Sequence, residues 1–494
     1  MCINSRLTLS SWSADTNLRP AEPPSSSNTS LITIFRKPFL AIGLCLLILP
    51  PADCAQQSHG VKPGSARTVI AQYDTNVSDV PLRGPITQPV SMGQAMSETL
   101  IQSPRAASLR LQLGIAKSNV IRATQMPNPN LFMDNGYKAE YTYRYGFSVP
   151  IEPPWKMVLR IIAAKKEIKR VDLEISKALW ALRGDIRRAY TEVLVGQERY
   201  EALKELAELY QLLLATAEKR WKAGDVARVD VYRAELAYTQ ATINQEQASI
   251  EVLRAKQSLS VLLGRKHNLD LFVPRLDSIS LQKKADKLSY LPDLDIALPA
   301  LGRLVGVAQD NRLEIKIVDQ TIRAAQANLK LTYGNIAPTP AIGVGSSVVN
   351  GPGAPDATAL TKNNFHGFFF QTFVELPIFN FQQGDISKYR SMLQQLKAEV
   401  STQKNIVEQD VVQAYQSVVI QRKKIQSYQE KALSRSAEIA RLTQKSYQVG
   451  ETDIASALQA QQANVQVRNE YLDAIKAYEL AYTDLEQSIG TTLY

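Results

Sequence analysis

Residues 220–234 read RWKAGDVARVDVYRA and residues 446–460 read SYQVGETDIASALQA, and the fold turns on these two stretches being copies of one another. The first carries Trp221, then two residues, then Gly224 and Asp225; the second carries Tyr447, then two residues, then Gly450 and Glu451. A helical pattern follows each. At a constant offset of 226 the block Lys219 to Gly264 lies over Lys445 to Gly490 without a gap, pairing Gly224 with Gly450, Ala234 with Ala460 and Gly264 with Gly490. Further upstream, Ser148-Val149-Pro150-Ile151 lies over Glu375-Leu376-Pro377-Ile378 at an offset of 227. Self-similarity in order and spacing over such a length marks a tandem duplication.

Outward from the first tip, a helical pattern runs back almost without a breaker to Pro153-Pro154. A continuous helix from Trp155 to Arg220 would be roughly 100 Å long at 1.5 Å per residue. Gly184 leaves two stacked helices open as an alternative. Beyond the tip Lys222-Ala223-Gly224-Asp225 the pattern resumes from Val229 to Leu263 and stops at Gly264, a residue type that suits a helix end. An earlier helical stretch, Ser91 to about Gln125, is halted by Pro127-Asn128-Pro129-Asn130. In the helix after the tip, Val229, Leu236, Ile243 and Ile250 recur every seven residues, as do Ala234, Ala241, Ala248 and Ala255. The second copy has Ala460, Val467, Ala474 and Ala481. Such spacing argues for close, supercoiled helix packing, against the plainer reading of amphipathic helices with helix-favouring alanines.

Between the helical stretches the period changes to two. Tyr141, Tyr143, Tyr145, Phe147, Val149 and Ile151 alternate with Thr142, Arg144, Gly146 and Ser148. In the second copy Phe368, Phe370, Thr372, Val374, Leu376 and Ile378 form one face, with Gln371 and Glu375 on the other. Weaker partners precede each, near Asn130–Tyr137 and Ala341–Val349. A run of about 11 residues with one apolar and one polar face fits a transmembrane β-strand, although a half-buried soluble hairpin has the same periodicity. Rod-like helices leave no other sheet to cover the apolar faces, which favours lipid. Four strands cannot close a barrel, so strands of this kind imply oligomerisation. Arg144, Gln371 and Glu375 then belong to the lumen-facing side.

At the N-terminus Arg36 and Lys37 precede the apolar run Phe39 to Leu49, followed by Pro50-Pro51-Ala52-Asp53-Cys54-Ala55. That run has signal-peptide length and is too short for a helix that spans a bilayer, which needs about 20 residues. Removal of the segment and lipidation at Cys54 are both open. The domain reading is 1–54 as N-terminal extension and signal peptide, 55–90 as flexible linker, and 91–285 and 286–494 as the two repeats. Cysteine is confined to Cys2, Cys45 and Cys54, so no disulfide or thiolate metal site can form after residue 54. The net charge of +10 comes from 57 basic against 47 acidic residues, interleaved along helical stretches such as Lys165 to Glu174. That pattern reads as solvated helix faces rather than a nucleic-acid surface.

These features together resemble the TolC family of outer-membrane efflux proteins. The resemblance is carried by the PNPN stretch at 127–130, the VPI and LPI at 149–151 and 376–378, and the aromatic-x-x-Gly tips Trp221 to Gly224 and Tyr447 to Gly450. It covers residues 91–494, both repeats. It implies a mainly α fold with membrane β-structure. Duplicated helical hairpins and four transmembrane strands per chain would assemble as a homotrimer with a 12-stranded barrel, continued by an α-helical tunnel in the periplasm. It implies the exit duct of a tripartite efflux or type I secretion system, fed by an inner-membrane pump through a periplasmic adaptor. No cofactor, metal, enzymatic activity or nucleic-acid partner is implied; outer-membrane lipid is.

In the family the tunnel closes at its inner end through polar bonds between the hairpins. Matched residue by residue, Asp230 takes the place of the acidic acceptor and Tyr447 that of its tyrosine partner. The family's arginine position is Thr452 here, and the two aspartates of the closing ring fall on Ser456 and Gln459. The acids Asp225, Glu451 and Asp453, beside Gly224 and Gly450, could form a replacement ring or an adaptor-facing edge; helix capping explains them equally well.

Two other readings compete. An enzyme would have to use His59, His267 and His366, which lie too far apart for a local metal motif, and no phosphate loop or nucleophile elbow is present. A periplasmic adaptor or structural coiled-coil protein also uses long hairpins. An adaptor sets one hairpin among many short strands, whereas this chain has two hairpins and four strands. Scarce histidine and methionine give no pointer to metal cargo.

Overall fold

The computed structural model describes residues 90–135, 143–265, 273, 294, 297–350 and 364–493, all within one compact unit, His59–Tyr494. Cys54, the signal segment, the linker to residue 89, Tyr141 and the 285/286 boundary lie outside them.

Nine α-helices and four strands are described. Helix α1 (Met92–Gln102) starts at a reciprocal cap in which Ser91 and Gln94 exchange backbone and side-chain bonds. The single helix expected from Ser91 is in fact two, because Ser103 caps α2 (Pro104–Thr124) and Pro104 has no N–H with which to continue α1. After β1 (Asn130–Asn135) and β2 (Tyr143–Pro150) comes α3 (Pro154–Lys222). It is 69 residues without a break, about 100 Å long. Gly184 does not interrupt it. A Cβ there would meet the Gln487 side chain at 1.8 Å, so this glycine admits a neighbouring helix. Helix α4 (Arg228–Leu263) returns from the tip.

The second copy repeats this order. Short helix α5 (Leu301–Asn311) and α6 (Leu313–Asn335) precede β3 (Ala341–Asn350) and β4 (Asn364–Phe373). Helix α7 (Gln383–Ser427), a π-helical turn at Tyr428–Ala432 and α8 (Leu433–Val449) lead to the second tip, and α9 (Ile454–Ile489) returns. Gly224 and Gly450 have φ of +83° and +85°, and Gly264 and Gly490 both +72°. Each pair stands 226 apart. Only glycine takes this left-handed conformation without a steric cost, so the duplication is written into the backbone.

The strands form one antiparallel sheet in the order β1-β2-β3-β4. In its register Leu131, Phe147, Val344 and Phe370 share one face, as do Met133, Tyr145, Ser346 and Phe368. That face is exposed: Phe368 is 93% and Phe370 84% accessible. The opposite face carries Arg144, Ser148, Ser347 and Gln371 with four glycines, Gly146, Gly343, Gly345 and Gly367. Strand β4 stops at Phe373 rather than running on to Ile378, because its partner β3 begins at Ala341 and the preceding Pro340 has no N–H to extend the ladder. Glu375, expected on the lumen side of a strand, is therefore an exposed residue beyond the strand end.

Three hydrophobic clusters follow the duplication. In the first copy Leu182, Ile186 and Val193 of α3 pack with Leu259 and Leu263 of α4 beneath α1. In the second, Val407, Val411 and Val418 pack with Leu485 and Ile489 beneath α5. The third joins the hairpins toward their tips. Of the heptad stripes in α4, Ala234, Ala241, Ala248 and Ala255 are buried, while Val229, Leu236, Ile243 and Ile250 are about half exposed or more. Among the described residues no helix is long and apolar enough to cross a membrane.

Candidate functional site at the hairpin tips

The tips are built alike. After α3, Asp225 N–H donates to the Arg220 carbonyl at 2.9 Å and Gly224 N–H to that of Trp221 at 3.0 Å. After α8, Glu451 N–H donates to the Ser446 carbonyl at 2.8 Å and Gly450 N–H to that of Tyr447 at 3.1 Å. The same reversal, with glycine in the left-handed region, closes both helices. Asp225 and Glu451 are exposed at these turns. Asp453 caps α9, accepting from Ser456 N–H at 3.2 Å, and hydrogen bonding by the Ser456 side chain, then by its N–H, holds the Asp453 carboxyl below the usual carboxylate range. Of the three tip acids, only Asp453 is thus engaged as a cap.

The two hairpins meet at Tyr447, whose side chain is 1% exposed and packs with Leu213 and Ala217 of α3, Ala234 of α4, and Ile454 and Ala457 of α9. The polar contact across this junction comes from Arg220. Its Nη1 donates to the Tyr447 carbonyl at 2.9 Å, and its guanidinium lies 5.2 Å from the centre of the Tyr447 ring. That carbonyl thereby accepts two bonds, one along its own chain turn and one from the other hairpin. A Cβ on Gly450 would come within 3.3 Å of Arg220 Nη2, so the glycine also makes room for the arginine.

The expected Asp230–Tyr447 hydrogen bond is not made within the chain. The Tyr447 hydroxyl is buried without a hydrogen-bond partner, and Asp230 accepts from Arg233 at 3.3 Å on its own helix. Burial raises the Tyr447 pKa; the Arg220 charge opposes that shift and the Asp230 carboxylate adds to it. Thr452 Oγ1 is likewise buried and unpartnered. Ser456 and Gln459 are exposed at the start of α9. Gln459, with Tyr210, Arg233, Leu236, Gln240 and Asn244, lines a cleft of ≈ 500 Å³ between the hairpins. Tyr210 spans the hairpins beside it, donating to the Leu458 carbonyl at 3.1 Å, and burial pushes its pKa up to about 12.

Arg220 escaped the sequence reading. Its partner position in the second copy is Ser446, so a charge present in one tip and missing from the other was the available signal. Among the described residues no cluster of three or more histidine, cysteine or acidic side chains could hold a metal ion.

At the sheet end, Arg144 and Gln371 share the less apolar face. Phe132, Gly146, Gly345 and Phe369 form one row across all four strands, with the phenylalanine rings 5.9 Å apart and Arg144 lying 4.3 Å over the ring of Phe369.

Comparison with known proteins agrees with this architecture. The family described as "Outer membrane efflux protein" matches residues 100–265 and 304–491. The cobalt-zinc-cadmium resistance protein CzcC of Cupriavidus metallidurans is 23% identical over 478 residues, covering 92% of this chain and 100% of the relative. Among solved structures, CusC has a TM-score of 0.62 at 16% identity, over 84% of this chain and 96% of that one. The outer membrane protein VceC of Vibrio cholerae has a TM-score of 0.60 at 13% identity, over 82% and 97%. At such identities the structural likeness shows the fold.

Proposed function

This chain belongs to the outer membrane efflux protein family, and from that premise we propose that three copies pool their strands into one closed barrel and their helices into a tunnel. The observation that carries this reading is the sheet. One face is apolar and exposed, and β1 and β4 end it as open edges within the chain. Lipid tolerates neither open edges nor unpaired backbone groups, so further copies must supply the missing strands. The exposed stripe Val229, Leu236, Ile243 and Ile250 supports the same assembly along the helices. The two repeats, 91–285 and 286–494, are its alternating staves.

In this reading the chain is a passive duct with no chemistry of its own, and the tips meet a periplasmic adaptor that links it to an inner-membrane pump. The resistance named for CzcC makes cobalt, zinc and cadmium the first cargo to examine. Purified protein is expected to run as a heat-resistant trimer and to conduct ions in planar bilayers, and cells lacking it to lose resistance to those metals. A monomer without conductance would refute the channel. Unchanged resistance would refute the cargo alone.

We further assign the closing contact at the inner end to Arg220, in place of the Asp230–Tyr447 bond. A hydrogen bond from a charged group contributes about 1.5–3 kcal/mol, and about 1.4 kcal/mol is a tenfold change in an equilibrium. Arg220→Ala is therefore expected to raise the open fraction in planar bilayers by at least about tenfold. Asp230→Ala, which removes the contact with Arg233 and no hydrogen bond to Tyr447, should open no more often than wild type. The reverse ranking would return the latch to Asp230.

A further inference from the structure

The copies can be laid over one another residue by residue, so a residue present in only one of them shows as a change of offset. The tips pair at 226. Above them the offset differs: buried Leu182, Ile186 and Val193 of α3 correspond to buried Val407, Val411 and Val418 of α7 at 225. One extra residue therefore enters the second copy between Val418 and Gly450. That interval holds the π-helical turn Tyr428–Ala432, the one π turn among the described residues. A π turn is the form in which a helix absorbs a single inserted residue while both flanks keep their facing, and such turns concentrate at functional positions. The first copy passes the same level as uninterrupted α-helix.

Below the level of this turn the two copies differ in attachment. Above it, α7 is anchored by Val407, Val411, Val418 and Ile425 in the cluster that contains Tyr478, Tyr482 and Leu485. Below it, the 17 residues of α8 bury only Ala440 and Tyr447. At the corresponding level α3 buries Ala207, Tyr210, Leu213 and Ala217. The turn itself buries nothing. Two polar contacts brace it from α9: Tyr428 donates to Glu470 at 3.0 Å and Gln429 to the Tyr471 hydroxyl at 2.9 Å.

We propose that Tyr428–Ala432 is the hinge of the channel's inner gate. On this view α8 swings as a lightly anchored arm about the π turn, while α3 and α4 stand as a fixed frame. Interrupting the i→i−4 ladder is one of the few ways to make a helix bend sharply, and here the interruption leads into a segment with fewer buried side chains than the matching, uninterrupted span of α3. The arm is then held at one end by the hinge and at the other by the Arg220 contact with Tyr447. This rests on the channel reading above, since without a pore there is no gate.

The test removes the extra residue. Deleting exposed Glu430 returns the turn to α-helical register without turning either flank, so Tyr447 still faces Arg220. In planar bilayers, the deletion placed in the Arg220→Ala background is expected to bring the open fraction back down at least about tenfold, toward wild type. An open fraction equal to that of Arg220→Ala alone would overturn the hinge. Backbone hydrogen exchange of the full-length protein tests the same arm whether or not the channel conducts. In wild type the amides of α8 should exchange together and faster than those of α7 or of α3 at the same level, and the deletion should slow them. Protection of wild-type α8 equal to that of α7, or exchange untouched by the deletion, would also overturn it. Absence of any conductance together with the expected exchange pattern would remove the channel reading and leave the mobile arm standing.

Discussion

Glu486→Ala is expected to destabilise the folded chain by about 3–5 kcal/mol, the range for breaking a buried ion pair from one side. Glu486 Oε2 accepts from Arg183 Nη1 and from Arg187 Nη1, each at 2.9 Å, and Arg187 Nη2 reaches Glu479 at 3.3 Å. All four side chains are at most 10% exposed. The guanidiniums also lie over aromatic rings, Arg183 4.8 Å from Trp180 and Arg187 5.1 Å from Tyr482. Truncating Glu486 would leave two buried cations facing one carboxylate, and arginine cannot escape by losing its proton. Since the network ties α3 to α9, the loss should appear as a lower midpoint of chemical unfolding for the whole unit. Replacing all four residues together by apolar side chains of similar size should recover most of the stability, because the charges are then removed rather than stranded. A single-variant loss under about 1 kcal/mol would mean that water reaches the network.

Gly146→Val should abolish assembly rather than weaken it. A Cβ on Gly146 would sit 2.4 Å from the Val344 carbonyl oxygen and 2.7 Å from the Gly345 Cα, both backbone atoms of the neighbouring strand. Relief requires parting β2 from β3, which pair from Tyr143 and Val348 to Pro150 and Ala341. In lipid each backbone group so released costs several kcal/mol, with no water to repair it. No heat-resistant oligomer should be recovered from the outer membrane. Gly343→Ala is the control. The three atoms nearest its Cβ would all belong to the Gln371 side chain, the closest being Cγ at 2.8 Å, and a change of the Gln371 rotamer relieves them without parting the strands. An assembled, conducting Gly146→Val protein would show that the β2–β3 junction is not built this closely in the membrane.

The duplication, the long helices, the tips and the strand periods were all legible in the sequence, because each depends on neighbours near in the chain. The misreadings arise where a proline nitrogen or a distant partner overrides the local pattern. Pro104 split a helix whose apolar pattern runs straight through it, and β4 ended early because its ladder depends on β3, about thirty residues away, and on the missing N–H of Pro340. Gly184 was a candidate break when judged alone, yet it serves the approach of Gln487 from the far end of the chain.

The site divides in the same way. Tyr447, Gly224 and Gly450 could be picked out from the repeat itself, since an aromatic residue and a left-handed glycine recur at both tips. Whether Tyr447 pairs with Asp230 or with Arg220 could not. That depends on how two hairpins more than two hundred residues apart come to lie side by side, and on Arg233 having already taken Asp230. The offset of 226 could likewise be counted in the sequence, but the extra residue behind its change to 225 became visible only once burial showed which positions face the core. By itself the sequence determined every feature set by local periodicity, chain length and backbone freedom. The tertiary structure decided those set by which surfaces meet, because a side chain's partner and its desolvation exist only after distant segments have packed together.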